Sequence, residues 1–297
     1  MNWLFLALLA PLVYAVNIFL DKYIVSARLP DYRSLPIFGM LISLPVAVLL
    51  SIFLGITITY GSFLIILSGV LTIWAFSLYL EALITEETSL LIVIIQLIPV
   101  IVLVMSYFLL GEVITLRQSL GFLLLLTASI LISIKKQKSR LGFSRPLVFI
   151  LAADFIWAAS YILIKLASEE GLNTSELVMY ESAGVVLGGI CLLLFVSVVR
   201  KAFLKTIRKL KAVDLSLILI NESLYLGAKI LTYIAVSLGP VALVSILGST
   251  QIFYGILLGA VLTLLLPKAF KENISKEGLY KKVFMGILAF VGIILVS

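Results

Sequence analysis

Histidine is absent from this chain of 297 residues, and cysteine occurs once, at Cys191. The missing histidine removes the usual proton carrier at neutral pH and the commonest metal ligand. One cysteine cannot form an internal disulfide framework. The sequence also lacks a zincin helix, a nucleophile elbow and a Walker-type phosphate loop. We therefore expect no metal, no cofactor and no enzymatic activity.

Charged residues are equally scarce, at 12% of the chain, whereas 63% of the residues are hydrophobic. The mean hydropathy is +1.25, which is far above the range of soluble domains. The composition predicts an all-α polytopic membrane protein. The net charge of +7 is explained by basic loops beside anionic lipid headgroups, so nucleic acid is not an expected partner.

A spanning helix needs about 20 mostly apolar residues, and this length divides the chain into ten candidate spans. They are 2–25, 34–55, 60–81, 87–109 and 115–134, followed by 146–167, 175–199, 213–237, 240–266 and 281–297. Five spans on each side of a basic linker predict a 5+5 inverted repeat, because an odd number of spans turns the second copy over. The expected units are 1–134 and 146–297, with 135–145 as the linker.

Polar residues within the spans support this duplication. The first span carries Tyr14, Asn17 and Lys22, and the sixth carries Trp157, Ser160 and Lys165 at an offset of 143 positions. Internal repeats of this kind are typical of secondary transporters, whose binding site lies near the midplane between the copies. Transport of a solute is therefore the leading hypothesis from the residues alone.

Lys and Arg concentrate in the loops that follow odd-numbered spans. The largest groups are Lys135, Lys136, Lys138, Arg140 and Arg145, then Arg200, Lys201, Lys205, Arg208, Lys209 and Lys211. Basic loops predict the cytoplasmic side, so both termini are expected outside the cell membrane.

Four charged residues fall well inside predicted spans, at Asp154, Glu181, Glu222 and Lys229. A charge in this position must face protein or water because the hydrocarbon cannot solvate it. Glu222, Tyr225 and Lys229 share one stripe of the eighth span. The stripe has two interpretations: a structural ion-pair network, or part of a cavity in which Lys229 attracts an anion and Glu222 binds an amine or a coupled proton.

The fourth and ninth spans carry a family resemblance. Residues 85–112, TEETSLLIVIIQLIPVIVLVMSYFLLGE, contain Pro99 in mid-span and end in Gly111-Glu112. This stretch resembles the EamA-type transporters of the drug/metabolite transporter superfamily, and residues 239–267 look like its second copy. Aligning Gln96 with Gln251 places Tyr254 opposite Pro99 and replaces the Gly-Glu ending by Leu-Pro.

The resemblance implies alternating access for a small organic solute, such as an amino acid-like or other amphipathic metabolite, with membrane lipids around the protein. Members are usually drawn with cytoplasmic termini, which is opposite to the orientation that the basic loops predict. No ATP-binding domain is evident, so active transport is expected to draw on an ion or solute gradient, with a proton or another ion as the coupling ion. A flippase for a lipid-linked substrate is the alternative, and monomer and homodimer both stay open.

The expected cavity is lined by the first, third, fourth, sixth, eighth and ninth spans. An amide or an aromatic ring at this depth offers a ligand a hydrogen bond or a stacking surface. The candidate binding residues are Asn17, Gln96, Trp157, Tyr161, Glu222, Tyr225, Lys229 and Gln251.

Overall fold

The structure is a computed structural model, and it describes residues 2–85, 95, 97–133, 145–265 and 276–296. Every regular element in these ranges is helical, which confirms the all-α expectation. The first part of the expected fourth span, 87–94 with Gln96, and most of the basic linker lie outside the described residues, as does the segment around Pro267.

Within the described ranges, the first half contains five α-helices and two short turns of other helix types. They are α1 Trp3–Tyr23, a π-helical turn Ile24–Arg28, a 3₁₀ turn Tyr32–Ser34, α2 Leu35–Leu54, α3 Tyr60–Thr85, α4 Ile98–Leu110 and α5 Leu116–Ser133. Pro99 stands in the first turn of α4. A proline is tolerated there because the amide it lacks has no partner within the helix.

The second half contains seven helices in the described ranges. They are α6 Arg145–Glu169, α7 Thr174–Phe195, α8 Ser197–Ile207, α9 Ala212–Leu238, α10 Val241–Gly248, α11 Gln251–Leu265 and α12 Lys276–Val296. The span expected at 240–266 is thus two helices. They are separated by Ser249 and Thr250, whose amides bond to carbonyls three residues back.

Among the described residues, six helical stretches are long and apolar enough to cross a membrane, and four shorter apolar ones accompany them. They are Trp3–Asp21, Tyr32–Leu54, Tyr60–Ala82, Val148–Glu169, Thr174–Phe195 and Ala212–Leu238. Four shorter apolar stretches, of 10–17 residues, are Ile98–Leu110, Leu116–Ala128, Val241–Gly255 and Phe284–Val296. Length and composition therefore support an integral, multi-pass membrane protein.

Helix α8 was expected to be the end of a span and a charged loop. It is instead a separate helix that carries Arg200, Lys201 and Lys205 and buries Val199 and Ala202 on its other side. A short helix with one basic and one apolar face suits the membrane–water interface. Counting basic residues alone could not separate such a helix from a loop.

Three helix pairs account for much of the packing around the centre. Helix α3 lies against both α6 and α7, and α1 lies against α9. The contact between α3 and α7 is close enough to require glycine. A Cβ added at Gly69 would lie 2.2 Å from the carbonyl oxygen of Glu181, and one added at Gly184 would lie 2.1 Å from that of Ile66. With Gly188 one turn further on, α7 presents a small-xxx-small face to α3.

Candidate functional site

A buried ion pair joins α7 to α9 in the middle of the protein. The Lys229 ammonium bonds to the Glu181 carboxylate, and only 8% and 1% of these two residues are exposed. The ammonium also lies 5.3 Å from the ring centroid of Tyr225 and 5.9 Å from that of Tyr233. Its positive charge is therefore balanced by one carboxylate and contacted by two aromatic faces.

A chain of three polar side chains links α1 to α9. Asn17 donates from Nδ2 to Oδ1 of Asn221 at 2.8 Å and to its backbone carbonyl at 3.0 Å. Asn221 in turn donates to Oδ1 of Asp21 at 2.8 Å. These bonds satisfy amides that would otherwise be costly to bury, and they fix the register of the two helices.

Glu222 is the residue after Asn221, and it is half-buried. Asp21 and Lys229 are its charged neighbours. Gly39 of α2 lies beside it, since a Cβ added there would be 3.5 Å from Oε2 of Glu222. Within the described residues the Glu222 carboxylate has neither a hydrogen bond nor an ion pair. It is therefore available to a ligand.

Two aromatic pairs of matching geometry flank the centre. The rings of Tyr14 and Tyr225 lie 5.8 Å apart at an angle of 59°. The rings of Tyr79 and Trp157 lie 5.6 Å apart at 57°. The first pair joins α1 to α9, and the second joins α6 to α3. Tyr14 and Trp157 are the residues that the 143-residue offset aligns, so the duplicated positions take part in similar contacts.

Asp154 lies one helical turn before Trp157 and is fully buried. Neither of its carboxylate oxygens has a hydrogen-bond partner in the part of the chain that the structure describes. Buried carboxyls are rarely left without a partner, because desolvation makes them expensive. Among the same residues, no cluster of three or more Asp, Glu, Cys or His side chains forms a metal site.

The predicted site residues fall into three groups. Asn17, Glu222, Tyr225 and Lys229 meet where α1 packs against α9. Trp157 and Tyr161 lie on α6, and the Tyr161 hydroxyl is 3.8 Å from where a Cβ of Gly248 would stand, at the break between α10 and α11.

The third group consists of Gln251 and Gln96. Gln251 begins α11, and no hydrogen bond is recorded for its side chain within the described residues. Gln96 lies outside the described residues.

The candidate list omitted several residues that the structure places at this centre: Tyr14, Asp21, Tyr79, Asp154, Glu181, Asn221 and Tyr233. Sequence signals existed for Glu181 and Asp154, because each is a charge inside an apolar span. Pairing Glu181 with Lys229 would have required the relative register of α7 and α9, which one sequence does not reveal.

Two contacts close the end of the molecule where α4, α6 and α9 terminate. Oε1 of Glu112 accepts the amide of Val241 at 2.9 Å, and Oε2 accepts that of Ala242 at 3.4 Å. The Lys165 ammonium donates to the carbonyl of Gly239 at 3.3 Å. Glu112 thus caps the start of α10 from the loop after α4, and its negative charge also complements the helix dipole. This contact explains the Gly-Glu ending: Gly111 stops α4 in a left-handed conformation with φ of +66°, and Glu112 caps α10.

The comparison with known families concerns the first half of the chain. Residues 1–134 match the model of the EamA-like transporter family. This match confirms the resemblance to EamA-type members of the drug/metabolite transporter superfamily that the sequence indicated. The EamA-like family is one of membrane transporters, which favours a transporter of small solutes over an enzyme. No match was found among the curated proteins.

The chain also shares its fold with solved structures, of which 28 chains match. One of them, described as a crystal structure of a protein, is 16% identical and aligns over 99% of this chain and 95% of its own, with a TM-score of 0.66. At this level of identity the likeness concerns the fold alone. It extends over both halves of the chain.

Proposed function

We propose that this protein is a secondary transporter that moves a small organic metabolite, amino acid-like or otherwise amphipathic, by alternating access. The observation that carries the proposal is the polar centre, where Asn17, Glu222, Tyr225 and Lys229 gather at depth between α1, α7 and α9. Charges buried in a membrane protein are costly and usually serve a substrate or ion pathway. An ion gradient supplies the energy in this proposal.

The proposed architecture is a 5+5 inverted repeat with units 1–134 and 146–297. The six long and four shorter apolar stretches add up to the ten spans that this arrangement needs. The α1–α9 and α6–α3 pairs, which the duplication would relate, carry the two similar aromatic contacts. Gly121 of α5 and Gly292 of α12 also approach each other reciprocally, since a Cβ on either would lie within 3.0 Å of the other's carbonyl oxygen.

Alternating access requires helices that can separate at one end at a time. The break between α10 and α11 supports this, because discontinuous helices commonly form transporter binding sites. Packing around the centre is also unequal. Helix α3 packs extensively on α7, whereas α9 and α2, the pair that the repeat would relate to them, touch only lightly. We propose that exchange between these two packings opens the site to either side.

The proposed orientation places both termini outside the cell membrane. In the described residues the exposed basic helix α8 lies at the opposite end from Glu112 and Lys165. Basic segments are retained in the cytoplasm, so the end sealed by Glu112 and Lys165 faces outward in this arrangement.

Proteoliposomes test the function directly. Purified protein would be screened for solutes that raise its melting temperature, and each stabilising solute would be assayed for uptake with and without an imposed pH gradient. Uptake that Glu222→Gln abolishes and Glu170→Gln leaves unchanged supports the proposal, since Glu170 is exposed and lies outside the centre. Folded protein that moves no solute but scrambles a lipid-linked sugar would replace it with the flippase function.

A further inference from the structure

We infer that the central site takes a small organic cation with an apolar or aromatic body, held by Glu222 and the rings of Tyr14 and Tyr225. The inference rests on the proposed function, because it names the substrate class of the same site. It follows from the balance of charge at the centre, from the availability of one carboxylate and from the aromatic surfaces beside that carboxylate.

Acidic side chains outnumber basic ones around Glu222. Asp21 and Lys229 are its charged neighbours, and Glu181 pairs with Lys229, so three carboxyls meet one ammonium among the described residues. A cavity lined mainly by one sign of charge concentrates ligands of the opposite sign. The balance therefore favours a cation over an anion.

Lys229 is poorly placed to receive an anion. Its ammonium already bonds to Glu181, and the rings of Tyr225 and Tyr233 cover it. An anionic ligand would have to displace Glu181 and leave that carboxylate buried without a partner, which is costly. The ion pair therefore carries no net charge, and the remaining carboxyls are the groups that can attract a charged ligand.

Glu222 is the carboxylate that a ligand can reach. It is half-buried, makes no hydrogen bond or ion pair with the described residues, and borders Gly39, which contributes no side chain. Asp21, its acidic neighbour, accepts one amide from Asn221. A cation beside Glu222 would therefore be attracted by two carboxylates, and its polar group would replace water there.

The rings of Tyr14 and Tyr225 form the other part of the proposed cation site. Tyr225 is three residues after Glu222 and so lies on the same face of α9, and its ring is 5.8 Å from that of Tyr14. A cation over aromatic faces is attracted by their electron density, and its apolar body packs on the same rings. Asp154, another fully buried carboxyl without a partner among the described residues, lies one turn before Trp157 on α6.

Binding of four compounds of similar size tests the inference. The probes are benzyltrimethylammonium and 2-phenylethylammonium as cations, 3-phenylpropionate as an anion and phenylalanine as a zwitterion. Full-length protein in detergent would be titrated with each probe, with melting temperature and calorimetric Kd as readouts. We expect stabilisation by at least one cation, none by 3-phenylpropionate, and at least tenfold weaker binding by phenylalanine than by the better cation.

Three variants test which residues bind the cation. Glu222→Gln should weaken cation binding at least tenfold, and Tyr225→Leu should weaken it severalfold, while Glu170→Gln should leave the Kd unchanged. If Glu222→Gln does not fold, Glu222→Asp serves in its place, since moving the carboxylate should still lower the affinity. Preferential binding of 3-phenylpropionate or phenylalanine, no binding of any probe to folded wild-type protein, or unchanged affinity in both Glu222 variants would overturn the inference.

Transport measurements distinguish a failure of this inference from a failure of the proposed function. Benzyltrimethylammonium has no neutral form and crosses lipid slowly, so its uptake into proteoliposomes reports transport by the protein. Cation binding without uptake of any solute would preserve the cation site and refute the transporter. Uptake of an anion or zwitterion with no cation binding would preserve the transporter and refute the cation site.

Discussion

Glu181 of α7 and Lys229 of α9 form an ion pair at the centre of the protein, and each is more than nine-tenths buried. The two residues are 48 positions apart in sequence, and each lies within an apolar span. Because neither charge could remain alone at this depth, the pair fixes how α7 and α9 face each other.

Neutralising one member of this pair should be more harmful than removing both. Glu181→Gln leaves the Lys229 ammonium buried without a carboxylate, which typically costs about 3–5 kcal/mol. The double variant Glu181→Met with Lys229→Met removes both charges and should recover most of the lost stability. Thermal unfolding of each variant in the same detergent measures the difference.

The pair of Lys165 and Glu169 provides a matched control for that experiment. These residues lie 3.8 Å apart at the end of α6, and Glu169 is largely exposed. Exposed pairs are worth roughly 0–1 kcal/mol, so Glu169→Gln should change the melting temperature little. Equal losses in Glu169→Gln and Glu181→Gln would show that burial does not govern the cost of the central substitution.

Gly184 should tolerate no larger side chain. A Cβ at this position would lie 2.1 Å from the carbonyl oxygen of Ile66, and a backbone atom cannot move aside as a flexible side chain can. Gly184→Leu should therefore separate α3 from α7, with a loss of at least about 1–3 kcal/mol or failure to assemble. Size-exclusion profiles and melting temperatures would report either result.

Gly255 of α11 is the control, because a Cβ added there would meet nothing within 4 Å. Gly255→Leu should give a monodisperse protein with nearly unchanged stability. If Gly184→Leu is equally well behaved, the close contact of α3 with α7 does not hold the fold together.

Removing the Glu112 carboxylate should destabilise the start of α10. Glu112→Ala deletes the acceptor for the amides of Val241 and Ala242, and loss of a helix cap typically costs about 0.5–2 kcal/mol. Glu112→Gln keeps one acceptor oxygen and should lose less. Hydrogen exchange at residues 241 and 242 should accelerate in Glu112→Ala, whereas Glu170→Ala should leave it unchanged.

The proposed orientation can be tested with single cysteines. Cys191→Ser removes the chain's one cysteine, after which Lys201→Cys on α8 and Glu170→Cys after α6 place thiols at exposed positions. If both termini are outside, a membrane-impermeant maleimide added to intact cells should label Glu170→Cys and spare Lys201→Cys. The reverse labelling would favour cytoplasmic termini.

Helix positions were the part of the fold that the sequence predicted best. Spans such as 34–55 and 115–134 agree closely with Leu35–Leu54 and Leu116–Ser133, because an apolar stretch of fixed length meets a simple physical requirement. Features that depend on more than length were harder to predict. The break at Ser249 and Thr250 contains no proline, and α8 resembles a charged loop in composition.

The candidate site was predictable in part for a similar reason. Glu222 and Lys229 stand out as charges within an apolar span, and Asn17 and Trp157 occupy duplicated positions. Contacts between helices depend on rotation and register, which one sequence does not specify. Asp21 lies at the end of its span, so it was indistinguishable from an ordinary boundary residue until Asn221 was found to bond to it.

The Glu112 contact has a consequence for how the end of the molecule could open. The Glu112 carboxylate accepts hydrogen bonds from amides in the first turn of α10, which have no carbonyl partner within that helix. Water can accept hydrogen bonds from such amides equally well. Separating α4 from α10 would hydrate both the carboxylate and the amides, so neither partner would be left unsatisfied. A contact of this kind can break and form again many times with little net change in hydrogen bonding. An interface of packed apolar side chains does not have this property.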